Sequence, residues 1–292
     1  MEGVYFTSEV TIAVPNKGRL REPSLRLLED AGMKPLCGDD RKLIVPTSRP
    51  GVRLLLARAM DIPLFVARGA ADIGIAGDDA IAECGLYTSS CKWVRDRDLA
   101  LLLELDFGAC QVALAAPPRI REPASIATTM PTIASRYCGS AKIVRLQGAL
   151  ETAPLFGIAE AIVDQVDTGT TLRQNGLRIL KVLMESRMNL FANPSSLKTK
   201  KAGLDRITLC LGAVLEARKR LMVKVNAASD LVRDALVKIL PAMKSPDVSP
   251  LAGGGYALAA AVPRKGIEDL VVALKGSGGS DIVVTEPKLV VL

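Results

Sequence analysis

The segment Ala161-Ile162-Val163-Asp164-Gln165-Val166-Asp167-Thr168-Gly169-Thr170-Thr171-Leu172 holds the densest set of groups able to bind a ligand. A β-branched run enters an Asp-Thr-Gly-Thr-Thr turn, and Leu172-Arg173-Gln174-Asn175 then continues at helical spacing. Gly169 lets backbone approach an oxyanion, successive amides at a helix start carry partial positive charge, and Thr168, Thr170 and Thr171 add hydroxyl donors. Each charge-assisted hydrogen bond contributes roughly 1.5–3 kcal/mol, so four or five would hold a phosphate monoester tightly. Asp164 and Asp167 flank the turn as acceptors for sugar hydroxyls. An ordinary N-capped helix after a strand accounts for the same residues about equally well.

Two further segments carry charge or open backbone. Val14-Pro15-Asn16-Lys17-Gly18-Arg19-Leu20 follows a β-branched run directly. It therefore places Lys17 and Arg19 at the carboxyl end of a strand, where open α/β sheets bind ligands. Two cations there suit a polyphosphate, although a solvated turn explains two basic residues at least as well. In the stretch from Asp61 to Asp79, Gly74 and Gly77 leave room for a flat ligand beside the backbone. Tight helix–strand packing is the preferred reading of those two glycines.

Composition removes whole classes of chemistry. The 292 residues contain no histidine, which excludes Ser-His-Asp and Cys-His catalysis, imidazole bases and His-ligated metals together. A net charge of +7 favours anionic partners, while 3% aromatic residues argue against a base-stacking nucleic-acid platform. Cys37, Cys84, Cys91, Cys110, Cys138 and Cys210 form no C-x-x-C pair and no zinc spacing, so they read as partly buried free thiols in a reducing compartment. The start Met1 to Phe6 lacks a basic region followed by an apolar stretch, and the apolar run Leu99 to Leu105 is cut by Glu104 and Asp106. A cytoplasmic chain with neither membrane nor nucleic-acid partner is expected.

The elements that must position these groups are legible as an alternation. Val10–Val14, Ile73–Ile75, Gln111–Ala115, Ile143–Leu146 and Ala161–Val163 read as buried strands between helical patterns, which means an α/β fold. Leu20, Leu27, Leu28 and Ala31 share a helical face that Gly32 terminates, and Pro63 opens another helix. After a helical stretch from Asp205 to Arg220, the chain reads as strand (221–225), helix (230–240), loop (241–255), strand (256–262), helix (267–274) and strand (281–285). This β-α-β-α-β order has the size of a ferredoxin-like module.

Taken together, these segments resemble the long-form ATP phosphoribosyltransferase family, over nearly the whole chain. The resemblance rests on Ala13 to Leu20, Asp61-Ile62-Pro63 with Gly69, Asp72 to Ile75 through Asp79, and Phe107-Gly108 with Cys110. It continues through Ile126-Ala127-Thr128 with Pro131, Glu151 with Ala153-Pro154, Gly157-Ile158-Ala159, Asp164, Thr168 to Leu172, Asn175-Gly176-Leu177 and Ala192-Asn193-Pro194. So many ordered matches favour the phosphate-binding reading of the turn.

The resemblance implies a two-lobed catalytic body like the type II periplasmic-binding-protein fold, with 1–105 and 190–217 as lobe I and 106–189 as lobe II. It implies that 218–292 form a ferredoxin-like, ACT-like regulatory domain that binds histidine as feedback inhibitor, and that the enzyme joins ATP to 5-phosphoribosyl 1-pyrophosphate in the first step of histidine biosynthesis. Lys17, Glu151 and Asp164 would be catalytic. Asp164, Asp167, Thr168, Gly169, Thr170, Thr171 and Leu172 would hold phosphoribosyl pyrophosphate; Lys17, Arg19, Arg58 and Asp79 would bind ATP; Ser245, Asp247 and Ser249 would bind histidine. Mg²⁺ would arrive with the pyrophosphate, and a homo-oligomer, dimer and hexamer, is implied. The chain departs from the family pattern at Asp78, Ala149, Asp247 and Gly278-Gly279-Ser280. A non-catalytic solute- or effector-binding module of the same fold is the competing expectation. The absent leader-like start and the absence of any recognisable helix-turn-helix segment weigh against it.

Overall fold

The computed structural model describes residues 9–36, 42–86, 99–167, 169–243 and 245–292, so Cys37, Cys91, Thr168 and Lys244 lie outside the described residues. The chain divides into two compact units, Met1–Thr208 and Leu209–Leu292. No described helix is long and apolar enough to cross a membrane.

The first unit contains two sheets. One has the order β2 (Ile44–Pro46), β3 (Val52–Ala57), β1 (Val10–Pro15), β4 (Ile73–Gly77), β11 (Met188–Ala192) and β5 (Ala100–Glu104). β1 runs parallel to β3 and β4, and β11 lies antiparallel between β4 and β5. The other has the order β10 (Arg178–Ser186), β6 (Cys110–Ala116), β9 (Ala161–Val166), β7 (Ser125–Thr128) and β8 (Lys142–Arg145). The chain crosses from the first sheet to the second after β5 and returns at Arg187, between β10 and β11. Helices α1 (Arg21–Asp30), α2 (Ile62–Ala67), α3 (Asp78–Glu83), α4 (Pro131–Tyr137), α5 (Thr170–Gln174) and α6 (Pro194–Thr199) fill the connections.

Local chemistry explains the elements. β1 and β4 are buried along their whole length, as continuous apolar runs in a sheet covered on both faces must be. Gly32 adopts φ +78 just past α1, and Pro63 sits in the first turn of α2. In the second sheet, Val112, Leu114, Ala161 and Val163 enter one core cluster while Ala113, Ala115, Ile162 and Val166 enter another. Both faces are therefore covered, and period-2 alternation decides which face each polar residue of β9 joins.

The second unit continues α7 (Lys201–Arg218), which starts four residues before and ends two before the helical stretch read from sequence. There follow β12 (Arg220–Ala227), α8 (Asp230–Ile239), β13 (Asp247–Pro250), β14 (Tyr256–Pro263), α9 (Ile267–Gly276) and β15 (Ser280–Thr285). The segment expected to be loop from 241 to 255 thus contains an edge strand, β13, paired antiparallel with β14. The order becomes β-α-β-β-α-β, the ferredoxin-like arrangement, in a sheet ordered β13-β14-β12-β15. Leu221, Val223 and Val225 pack with Leu236, Leu240, Leu258 and Leu274 on one face. The other face carries two cross-strand rows, Asp247 with Ala259 and Lys224, and Ser249 with Ala257 and Asn226.

Candidate active site

The carboxyl ends of parallel β1, β3 and β4 share one edge of the first sheet. They carry Asn16-Lys17-Gly18-Arg19, Arg58 and Asp78-Asp79 respectively. Register fixes the closeness of the first two, since Pro15 lies opposite Ala57 and the Asn16 amide donates to the Ala57 carbonyl at 2.8 Å. Lys17, Arg19 and Arg58 are all exposed there. Gly18 turns the chain at φ +78 so that its carbonyl accepts from Arg21 at 3.2 Å, starting α1. Beside them the Asn16 side-chain oxygen is buried and accepts no hydrogen bond. A buried acceptor without a donor costs about 1–3 kcal/mol, which a ligand N–H or O–H would relieve.

The turn after β9 stands at the facing edge of the second sheet. Gly169 caps α5 at φ +69, a left-handed conformation that disfavours any side chain even though a Cβ there would meet nothing nearer than 3.7 Å. The amides of Thr171 and Leu172 lie in the first turn of α5, ahead of the carbonyls a helix could offer them. Thr170 and Thr171 are exposed. The Leu172 side chain is instead buried in the core, so this residue offers only its backbone to a ligand.

Alternation places Asp164 on the face of β9 shared by Ile162 and Val166, opposite Ala113. That face is covered by the turn bearing Glu151, which Leu150 and Ala153 anchor in the same core. Ala149 enters that turn at φ +49, a left-handed conformation costing an alanine roughly 1–2 kcal/mol. Burial pushes the Asp164 carboxyl up to about 6; the Gln165 amide, donating to it at 2.8 Å, opposes this, and the Glu151 charge adds to it.

The two edges meet. Arg19 Nη1 lies 3.2 Å from Asp167 Oδ2, an exposed pair worth no more than about 1 kcal/mol and therefore open to displacement by a phosphate. Next to it a pocket of about 290 Å³ is lined by Cys110, Gln111, Asp167, Glu185, Ser186 and Arg187. Burial holds the Cys110 thiol above its ordinary range despite neighbouring Arg19, so it is no ready nucleophile. Glu83 accepts the amides of Thr132 and Ile133 at 3.0 Å each, tying α3 to the start of α4 across the sheets.

Asp79, expected at the nucleotide, is 3% exposed and has both carboxylate oxygens occupied by Ser186 and Gln165. As found, it presents no free oxygen to the cleft. Its neighbour Asp78 accepts from the Arg187 amide at 3.1 Å and from Asn189 Nδ2 at 2.8 Å, and burial raises its carboxyl. Sequence reasoning singled out neither Gln165 nor Ser186, because a polar residue on a strand signals nothing until its facing partner is known. In the second unit, Ser245, Asp247 and Ser249 are exposed, and Lys224 and Asn226 lie two strands from the last two in the same cross-strand rows. Asn226 Nδ2 donates to Asp281 Oδ2 at 3.1 Å.

Comparison with known proteins adds the family. The ATP phosphoribosyltransferase model matches residues 58–213, and the model of the HisG C-terminal domain matches 217–287. The ATP phosphoribosyltransferase of Haloarcula marismortui is 39% identical over 94% of this chain and 97% of its own. That of Saccharolobus solfataricus is 37% identical over 96% and 98%. In a solved ATP phosphoribosyl transferase (HisG:HisZ) complex from Thermotoga maritima, a chain 28% identical superposes with TM-score 0.63 over 72% of this chain and 98% of that one. These matches define an enzyme of the pentosyltransferase class. Within that class, the chain belongs to the ATP phosphoribosyltransferase family, in the long form that carries the C-terminal domain.

Proposed function

We propose that the cleft between the two sheets of the first unit joins ATP to 5-phosphoribosyl 1-pyrophosphate. A ring nitrogen of adenine attacks the anomeric carbon, the bond to pyrophosphate breaks, and phosphoribosyl-ATP and pyrophosphate result. The turn Asp167 to Leu172 anchors the sugar phosphate, with Gly169 allowing close backbone approach. Asp164 and Glu151 accept from ribose hydroxyls and orient the ring. Lys17 meets the charge that develops on the departing pyrophosphate, and Arg19 and Arg58 sit on the same edge for the nucleotide phosphates. Positioning and electrostatics supply the rate.

Mg²⁺ enters this reading as a companion of the pyrophosphate, whose charge it neutralises. Among the described residues no group of three or more acidic or cysteine side chains converges on a metal position. The second unit is read as an ACT-like regulatory domain, with lobe I at 1–105 and 190–217, lobe II at 106–189 and this domain at 218–292. There Asp247 and Lys224 offer opposite charges to an amino acid's ammonium and carboxylate, with Ser249 and Asn226 in the next row and Ser245 just ahead of β13; histidine is the inhibitor that the family resemblance implies. A homo-oligomer in the cytoplasm, dimer and hexamer, completes the reading.

The observation that carries it is the approach of Arg19 to Asp167, which sets a cationic loop against the turn that opens α5 at Gly169. Incubation with ATP, Mg²⁺ and phosphoribosyl pyrophosphate, followed by absorbance, tests it. Accumulation of phosphoribosyl-ATP with equimolar pyrophosphate is expected, and binding of both substrates without product would overturn the catalytic reading.

A further inference from the structure

Transfer between two substrates held on different sheets requires that those sheets keep a fixed spacing, because displacement of a reacting group by about 1 Å costs on the order of 10²-fold in rate. The phosphate turn leaves β9, whereas the cationic loops leave β1 and β3. One buried side chain connects the two sides. Asp79, in the first turn of α3, receives the Ser186 hydroxyl on Oδ1 at 2.5 Å and the Gln165 Nε2–H on Oδ2, while its own amide donates to Ser186 Oγ at 3.2 Å.

Each partner sits where a small shift would be felt. Gln165 faces away from Asp164 along β9, yet its amide holds the Asp164 carboxylate at 2.8 Å, and two residues later the chain enters the phosphate turn. Ser186 ends β10 immediately before Arg187, whose amide and carbonyl both pair with Asp78. The close fit requires Gly77, because a Cβ there would lie 2.2 Å from Asp79 Oδ1 and 2.8 Å from Ser186 Oγ. A buried carboxylate with neutral donors on both oxygens is suited to hold backbone in place, and poorly suited to receive a polyanionic nucleotide.

We propose that Asp79 is a positioning residue for the transfer reaction: through Gln165 and Ser186 it fixes the ends of β9 and β10 against α3, and so sets the distance from the phosphate turn to the cationic loop. This rests on the reading of the cleft given above. Asp79→Asn removes the acceptor for one donor, and Gln165→Glu sets two carboxylates against each other. The double variant Asp79→Asn/Gln165→Glu rebuilds the hydrogen bond with donor and acceptor exchanged, the asparagine amide donating to the introduced glutamate while its carbonyl accepts from Ser186. Gln165→Met deletes the bond without adding charge and serves should Gln165→Glu fail to fold.

Steady-state kinetics for both substrates, with thermal melting of each variant, supply the test. Each single variant should lower kcat at least tenfold while the ATP KM stays within about threefold, and the double variant should return kcat to within about threefold of the parent. The proposal is overturned if Gln165→Glu and Gln165→Met keep kcat, if the double variant stays as slow as the slower single, or if Asp79→Asn acts on the ATP KM alone, as a nucleotide contact would. A parent protein that forms no phosphoribosyl-ATP refutes the reading of the cleft and this proposal with it. An active parent with an unrescued double variant refutes the positioning role alone.

Discussion

Asp164 shows how a single position on a strand sets the chemistry of a side chain. Alternation turns it to the covered face of β9, where burial pushes its carboxyl to about 6, above the 3.8 of an exposed aspartate. The folded chain therefore holds this proton more tightly than the unfolded chain. Asp164 imposes no stability cost below about pH 4, and the cost grows as the pH rises, complete above about 6. Melting temperatures of the parent and of Asp164→Asn should accordingly diverge between pH 4 and 6, with the parent falling relative to the variant. If the ionised carboxylate accepts from ribose hydroxyls, kcat/KM for phosphoribosyl pyrophosphate should drop about tenfold per unit below pH 6. Asp164→Asn should lower that parameter overall and lack this limb; the same limb in both proteins would assign it to the substrate phosphate.

At the scale of elements, Gly77 lets the start of α3 pack closely on the end of β10. Gly77→Ala puts a methyl group onto Asp79 and Ser186, so overpacking of about 1–3 kcal/mol should appear as a lower denaturation midpoint with unchanged m-value. A midpoint equal to that of the parent would show that α3 yields freely. This glycine was legible only as tight packing, the preferred of two readings, since the sequence does not say what it packs against. Strands with continuous apolar runs, such as β1, β6 and β9, were legible for the physical reason that both faces are buried. β10 was not: it is an edge strand with many exposed residues, and register shifts between Ile179 and Lys181 and between Val182 and Met184 break its period. The stretch from 241 to 255 is rich in proline, serine and glycine and reads as loop, yet it holds β13, because an edge strand tolerates proline where no ladder donor is needed. In the turn after β9, glycine and threonine act through local geometry that the sequence itself carries, whereas the buried setting of Asp79 depends on partners 86 and 107 residues away, which no local pattern announces.

For the whole molecule, the proposed function implies a division of labour between a catalytic unit and a regulatory one that would bind histidine. Histidine added to the intact protein should release heat and lower kcat/KM between 5- and 150-fold, the range of a coupling of about 1–3 kcal/mol. Asp247→Thr should change the histidine dissociation constant at least threefold; absence of heat with both proteins would remove the sensor role from this sheet face. The central claim, that the turn of β9 holds the phosphate of phosphoribosyl pyrophosphate, is tested most directly by calorimetric titration of that substrate into the parent and into Gly169→Val. The β-branched side chain disfavours φ +69 and crowds the amides, while the core beneath keeps Leu172. The account predicts that affinity for phosphoribosyl pyrophosphate falls at least tenfold while ATP affinity stays within about twofold; unchanged phosphoribosyl pyrophosphate affinity in a folded Gly169→Val protein would contradict it.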